Sequence, residues 1–345
     1  MDDHPTPRAA ARDAGDAPAA GPAWLDVRLP HQAPLPLDEL LAFLAARAVP
    51  GVEEVVGGTY RRVLALPGGP AVVELGPGGT ARAGEEPGGT DPSGQEAGGT
   101  DPGSARPAGE EPSGTDHGTT GWVACRLSLA DPGDRPAAVA ACRRLLDLDT
   151  DPAPIDGALG ADPALAPLVA ATPGRRAPVH VDAHELAFRA VLGQQVSLAA
   201  ARRLAGRLAE ICGVPLGRPA GGLTVAFPTA AAVAEADLDL LGMPGARRTT
   251  LRTLAAALAG GLIDLAPGAD AAAAEEALLA VRGIGPWTAA YVRMRGLGDP
   301  DVFLPGDVGV RRALAGLGLV DAPATGERWR PWRSYAVHHL WASLG

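Results

Sequence analysis

A glycine hairpin between two helical patterns is the feature that most constrains this chain. The stretch from Leu278 to Arg312 reads LLAVRGIGPWTAAYVRMRGLGDPDVFLPGDVGVRR, in which Gly283 and Gly285 flank one isoleucine. A helix that begins directly after such a turn leaves its first backbone N–H groups unpaired, and these groups favour an anion. We therefore expect Gly283, Gly285 and Thr288 to hold a phosphate of a nucleic-acid backbone. Without its flanks the same glycine pattern would indicate only a tight turn between helices.

A single aspartate, Asp307, follows the hairpin in the motif FLPGDVGVRRAL. It stands where a helix N-cap belongs, and aspartate is a favoured capping residue. At the mouth of a cleft, the same carboxylate would stabilise an oxocarbenium-like sugar and orient or deprotonate a water molecule. Capping and catalysis are compatible, so both interpretations stay open at this point.

Aromatic residues make up only 4% of the chain, so their clustering near the hairpin is informative. Trp287, Tyr291 and Trp341 would form an electron-rich box for an extruded base, and a cationic base would gain most from it. The alternative for Trp287 and Tyr291 is a place in a helical core, and spacing alone does not separate the two. Upstream, Gln195 lies at a break between two helical patterns, where a side chain can fill the gap that an extruded base leaves. A plain polar connection is the alternative there.

The net charge of −10 argues against nucleic acid until its distribution is considered. Residues 77–119 hold eight acids against two arginines, whereas residues 282–345 hold eight arginines against five acids. The C-terminal part can therefore face phosphate within an acidic molecule. The three cysteines show no CxxC spacing and the seven histidines no ligand spacing, so we expect no metal and no cofactor. No apolar run reaches the roughly 20 residues of a membrane span, and we expect a cytoplasmic protein.

Regions of different pattern divide the chain. Residues 1–22 lack periodicity and are predicted to be a disordered tail. Residues 23–150 mix strand-like runs with amphipathic helices, which predicts an α+β domain with an antiparallel sheet, interrupted by a flexible low-complexity insert at 77–119. Residues 151–345 are predicted to be an all-α domain or pair of lobes. Its helical patterns cover 162–171, 183–193, 196–212, 229–241, 245–260, 271–281, 286–296, 307–317 and 331–343.

Together these motifs resemble the helix–hairpin–helix base-excision glycosylases, and within them the bacterial 3-methyladenine DNA glycosylase II (AlkA) family. The matching segments run in family order from about residue 24 to 345: LLAFLAARAV, DGALG, AFRAVLGQQVS, FPTAAAVAEAD, LGMPGARR, VRGIGPWTAAYVRMRGLGDPDVFLPGD and WRPWRSYAVHHLW. The resemblance implies an N-terminal domain with a TBP-like antiparallel sheet, followed by two helical lobes with the active cleft between them.

The resemblance also implies roles for individual residues. Asp307 matches the catalytic aspartate, and Gly283, Gly285 and neighbouring amides match the hairpin that grips the DNA backbone. Gln195 falls where the family carries a wedge, often leucine. Gly306 replaces an acid that often precedes the catalytic one. Three aromatic residues match the lining of the base pocket: Trp287, Tyr291 and Trp341.

The chain contains no lysine, since all thirty of its basic residues are arginine. Bifunctional relatives carry a Schiff-base lysine directly after the hairpin, where this chain has Trp287, so a lysine-mediated β-lyase step is excluded. We expect a monomeric, monofunctional glycosylase that releases alkylated purines, chiefly 3-methyladenine and 7-methylguanine, from double-stranded DNA. The alternatives are a non-catalytic DNA-structure-binding protein with the same hairpin and a glycosylase for deaminated or oxidised bases.

Overall fold

The computed structural model describes residues 23–82 and 119–345, so the predicted tail 1–22 and most of the insert 77–119 lie outside the described residues. The strands are β1 (Leu25–Gln32), β2 (Glu53–Val56), β3 (Thr59–Leu66), β4 (Gly69–Arg82), β5 (Thr119–Ser128), β6 (Val214–Ala220) and β7 (Leu223–Ala226). The helices are α1 (Leu37–Arg47), α2 (Arg135–Leu145), α3 (Pro152–Gly160), α4 (Ala166–Ala171), α5 (Ala183–Leu192), α6 (Leu198–Cys212), α7 (Ala230–Glu235), α8 (Gly245–Ala259), α9 (Ala271–Leu279), α10 (Pro286–Val292), α11 (Val308–Gly316), α12 (Pro323–Glu327) and α13 (Arg333–Ala342).

Strands β1 to β5 form one antiparallel sheet in the order β1-β5-β4-β3-β2. Apolar residues of these strands pack against α1 and α2, which contribute Leu41 and Leu145 to the shared core. The predicted α+β domain with an antiparallel sheet is therefore confirmed. The strands run further than predicted, because β4 and β5 stay paired as far as Arg82 and Thr119, inside the segment 77–119 that the sequence predicts to be a loop.

One part of the second half is not helical, which corrects the prediction of an all-α domain. Strands β6 and β7 form an antiparallel hairpin. Leu223 and Ala226 of β7 pack with Val63 and Val72 of the five-stranded sheet, in a cluster separate from the core that α1 and α2 share with it. Burial of these apolar residues of the sheet stabilises the hairpin in this position. Its sequence signal is the glycine pair between two short strand-like runs.

The helices of the second half build two lobes with separate cores, as the sequence predicts. Elements α5 to α10 form one core, in which Phe188 and Leu254 are buried. Elements α3, α4, α11 and α13 form the other around the buried Trp329. Tyr291 on α10 packs against both cores, so α10 lies at the boundary between the lobes.

Several helices are shorter than their periodicity predicts. The pattern at 229–241 splits into α7 and a 3-10 turn, because the Asp237 carboxylate accepts from the Asp239 amide and starts a new segment. The pattern at 286–296 is α-helical to Val292 and continues as a π-turn over Arg293–Leu297. Among the residues that the structure describes, no helix is long and apolar enough to cross a membrane.

Candidate active site

A cleft of about 520 Å³ is bordered by both helical lobes and by the sheet domain. Helix α10 brings Trp287 and Tyr291 to it, α11 starts at its edge with Asp307, and α13 contributes Trp341. The predicted catalytic residue and the three predicted pocket residues thus line one cavity, although they come from three separate helices. Their proximity is a product of the tertiary fold.

Asp307 is half-buried and caps α11 while three donors hold its carboxylate. Oδ1 accepts from the Val310 amide at 2.9 Å and from Trp341 Nε1 at 2.9 Å. Oδ2 accepts from Trp287 Nε1 at 3.0 Å. Because an ionised carboxylate offers about four lone-pair positions, roughly one remains for a ligand or a water molecule. The two indoles therefore do more than line the cavity, since they also fix the orientation of the carboxylate.

The close approach of Trp341 depends on Gly309, a residue that the sequence prediction did not include. A Cβ on Gly309 would lie 2.9 Å from Trp341 Cδ1 and 3.2 Å from Asp307 Oδ1. Any side chain there would push the indole away from the carboxylate. The available signal was a glycine in the first turn of a helix, where it is less favourable than alanine by roughly 1 kcal/mol.

The aromatic residues form one wall, not a slot with two faces. The rings of Trp287 and Tyr291 are nearly parallel, with centroids 5.2 Å apart and planes inclined by 9°. A base between two rings would require about twice the 3.4 Å spacing of stacked bases, so none fits between these two. Trp341 is tilted by 56° against Tyr291 and stacks instead on Phe43, with centroids 6.4 Å apart. A flat ligand can therefore stack on an outer face of the Trp287–Tyr291 pair but not between the two rings.

Arg47 of the sheet domain and Arg295 of the π-turn after α10 also line the cleft, and the sequence prediction missed both. The guanidinium carbons of Arg47 and Arg295 lie 3.6 and 4.7 Å from the centroid of the Phe43 ring. Arg47 donates to the Phe43 carbonyl at 3.1 Å, and Arg295 donates to the Pro178 carbonyl at 2.6 Å. Burial lowers the pKa of both groups, that of Arg295 to about 10. The spacing of Phe43 and Arg47 by four residues on α1 was the only sequence signal.

The hairpin before α10 is a tight turn with free amides. Gly283 has a φ of 96°, and a Cβ there would collide with Thr250 Oγ1, so glycine is required on two grounds. Gly285 is the N-cap of α10. The amides of Gly285, Trp287 and Thr288 have no acceptor among the described residues. They are therefore open to an anion, while the Thr288 side chain is buried.

The predicted wedge residue, Gln195, lies in the turn between α5 and α6, with a φ of 57° and an exposed side chain. Its neighbour Gln194 donates to the Gly283 carbonyl at 3.0 Å and to Thr288 Oγ1 at 3.2 Å. The turn is therefore in direct contact with the hairpin. The wedge role of Gln195 stays a prediction.

Two family models match the chain. One, described as AlkA N-terminal domain, matches residues 26–83 and 114–182, and the other, described as HhH-GPD superfamily base excision DNA repair protein, matches residues 188–330. The DNA-3-methyladenine glycosylase 2 of Escherichia coli is 42% identical over 211 residues, which cover 60% of this chain and 72% of that protein. The chain belongs to the AlkA family. The family predicted from the sequence is confirmed.

A longer AlkA protein matches nearly the whole chain. The probable bifunctional transcriptional activator/DNA repair enzyme AlkA of Mycobacterium tuberculosis is 43% identical over 344 residues, 98% of this chain. This chain spans only 60% of the length of that relative. The solved 3-methyladenine DNA-glycosylase of Archaeoglobus fulgidus superposes with a TM-score of 0.69 at 20% identity, covering 92% of this chain and 97% of the other. This last likeness shows a shared fold.

In this AlkA-family chain, a buried ionic cluster joins the sheet domain to α5. Arg62 donates to Glu53 at 3.2 Å and to Glu185 at 2.8 Å, and Arg189 reaches both carboxylates at 2.9 Å. Ligand atoms of Glu53, His180 and Glu185 lie within 4.8 Å of one another, a grouping that can hold a metal ion. Both carboxylates already bind guanidinium groups, however, and Arg189 Nη1 lies 3.1 Å from His180 Nε2, so the ligand atoms are occupied. The cluster is a balanced structural tie next to the cleft.

Proposed function

We propose that this chain is a monofunctional DNA glycosylase that excises alkylated purines, chiefly 3-methyladenine and 7-methylguanine, from double-stranded DNA. The observation that carries the proposal is the Asp307 carboxylate, held by two indole N–H groups at the edge of a cleft with an aromatic wall. Family membership and the name of the Escherichia coli relative, a DNA-3-methyladenine glycosylase, support the same conclusion.

DNA is held through its backbone in this proposal. The free amides of Gly285, Trp287 and Thr288 bind one phosphate, with Gly283 letting it approach. Gln195 enters the space that the extruded base leaves, and the base stacks against the outer face of the Trp287–Tyr291 pair. The protein acts as a monomer, in the cytoplasm on the bacterial nucleoid.

The chemistry needs one carboxylate. An alkylated purine carries positive charge, so it leaves with the electrons of the N-glycosidic bond and without protonation by a general acid. The sugar then gains oxocarbenium character, which the negative charge of Asp307 stabilises. A water molecule bound at the open position of the carboxylate adds to the anomeric carbon and passes its proton to Asp307 and on to solvent. The products are the free base and an abasic strand.

The strand stays intact because β-elimination by this superfamily's route requires an amine nucleophile. The chain contains no lysine to form the Schiff base. We therefore propose hydrolysis alone, with no lyase step.

Chromatography of the bases that the protein frees from alkylated, deaminated and oxidised duplex DNA tests the proposal. We expect 3-methyladenine and 7-methylguanine from the alkylated duplex, with strand breaks only after alkali. Binding without release of any base would favour the non-catalytic alternative. Preferential release from deaminated or oxidised DNA would identify a glycosylase for other lesions.

A further inference from the structure

The turn between α5 and α6, residues 193–197, contacts the hairpin through one side chain. Gln194 Nε2 donates one hydrogen to the Gly283 carbonyl at 3.0 Å and the other to Thr288 Oγ1 at 3.2 Å. A carbonyl only accepts, so the first contact fixes which way the amide points. Both N–H groups of the Gln194 side chain therefore have an acceptor in the hairpin or in α10.

Helix α8 forms hydrogen bonds to both the turn and the hairpin. Arg247 Nη1 donates to the Gln194 carbonyl at 2.8 Å and to the Leu192 carbonyl at 3.4 Å, which holds the turn. Thr250 Oγ1 shares its one hydrogen between the Arg282 carbonyl at 3.0 Å and the Ala246 carbonyl at 3.1 Å, and this ties the hairpin to α8. The Gln194 side-chain amide links the turn to the hairpin directly, whereas Arg247 and Thr250 link each of them to α8.

We propose that Gln194 is a positioning residue that couples the hairpin to the turn, so that the phosphate grip and the displacing side chain of Gln195 act as one unit. The proposal rests on the proposed function for the identity of what is gripped and displaced. Gln194 itself is half-buried and points its amide at the hairpin.

The coupling matters because base extrusion needs two fixed points on the DNA. The hairpin amides set where one phosphate lies, and the turn sets where the stack is filled. Successive phosphates of a strand are about 3.4 Å apart along the helix axis, so a shift of turn against hairpin by a fraction of that spacing misplaces the extruded nucleotide. A misplacement of about 1 Å from a productive geometry can cost roughly a hundredfold in rate.

Two variants test the coupling, each with nearly unchanged shape. Q194M keeps the length of the side chain and removes both donors, and T288V removes the hydroxyl acceptor but keeps the Thr288 amide. We expect each to lower both base unstacking, measured by 2-aminopurine beside the lesion, and single-turnover excision, by about tenfold in Q194M. Affinity of Q194M for a duplex with an abasic-site analogue, which needs no extrusion, should stay within about threefold.

The double variant gives the control. If Gln194 acts through Thr288, Q194M/T288V unstacks the base about as well as Q194M alone, whereas independent effects would multiply. Wild-type unstacking in Q194M overturns the proposal, and so does a parallel fall of unstacking, abasic-duplex affinity and melting temperature, which indicates a merely structural role. Should Q194M fail to fold, T288V decides by unstacking and melting temperature: reduced unstacking at an unchanged melting temperature supports the coupling, and wild-type unstacking overturns it. A wild-type protein that unstacks 2-aminopurine but frees no base would refute the proposed function and leave this comparison intact.

Discussion

Replacing Asp307 with asparagine removes the charge of the proposed catalytic residue and leaves its shape nearly unchanged. Asparagine is as good an N-cap as aspartate, so its carbonyl oxygen can keep the bonds from the Val310 amide and Trp341 Nε1. Its amide nitrogen then replaces Oδ2 and faces Trp287 Nε1 at 3.0 Å, where two donors meet. One partly buried hydrogen bond is lost, which costs about 1 kcal/mol of stability.

The expected effect on the reaction is much larger than this loss. A carboxylate about 4 Å from a developing sugar cation contributes about 4 kcal/mol at an effective dielectric of roughly 20. At about 1.36 kcal/mol for each tenfold change in rate, D307N should slow base release by about a thousandfold. Affinity for the alkylated duplex should change little, because the free hairpin amides that bind the phosphate are untouched.

The assay is single-turnover release of 7-methylguanine from methylated duplex with enzyme in excess, with duplex affinity and melting temperature recorded in parallel. Asp321→Asn is the matched control. Asp321 Oδ2 accepts from the amide of Gly306, the residue before Asp307, at 3.0 Å, but Asp321 lies outside the cleft lining. It should retain excision within about twofold, since amide and carboxylate oxygens both accept this bond. Excision by D307N within tenfold of the wild type would refute the catalytic assignment. So would a loss that the control shares.

Three further outcomes are expected. Gly309→Ala should lower excision at least about tenfold with unchanged duplex affinity, because its methyl displaces the Trp341 indole; a wild-type rate would contradict that contact. Arg47→Met should raise the excision rate of 7-methylguanine relative to that of the neutral base hypoxanthine by about threefold, because it removes a cation from the cleft; an unchanged ratio in a competition assay would count against this. Burial lowers the pKa of His339 to about 3, so below pH 6.5 only the unfolded state takes up its proton, and stability falls on acidification by up to about 1.4 kcal/mol per pH unit. His339→Gln should flatten that slope in urea titrations at pH 4 to 6, and an equal slope would show that His339 does not cause it.

The parts of the site that the sequence predicts are those encoded by local patterns. The hairpin, the N-cap position of Asp307 and the helical placement of Trp287 and Tyr291 each depend on neighbours within one or two turns. A cap, a glycine turn and an apolar period have distinct local signals, so the elements around them are placed to within a few residues.

The parts that it misses depend on contacts between distant segments. Periodicity on α1 shows which face is buried, but not that Arg47 borders a cleft with α10 and α13 or that Phe43 stacks on Trp341. The same limit applies to Gln194, whose partner hairpin is far along the chain. Hairpin β6–β7 escaped detection because β6 contains proline and glycine, because β7 has only four residues, and because the sheet residues that the hairpin covers belong to the other domain.

The charges of the cleft bear on how alkylated purines would be selected. Aromatic faces attract a cationic base by about 0.5–2 kcal/mol. Arg47 and Arg295, which lie against Phe43, line the same cavity and repel a cationic base. A pKa of about 10 leaves Arg295 charged at neutral pH. Attraction to the wall is therefore partly cancelled, and charge recognition alone gives weak discrimination.

Discrimination between damaged and normal purines then depends on how easily each base leaves the sugar. Neither Glu53 nor His180, which both line the cleft, is a protonated acid that could serve a neutral leaving group. Burial raises the pKa of Glu53, but Arg189 and Arg62 lower it further, so the net direction is downward. Burial lowers the pKa of His180. A neutral purine needs protonation to leave, whereas a cationic alkylated purine does not. A cleft that offers the Asp307 carboxylate and no protonated acid of this kind would release damaged purines faster than normal ones, even where both can enter it. Selectivity would come from the lability of the damaged glycosidic bond more than from the fit of the base.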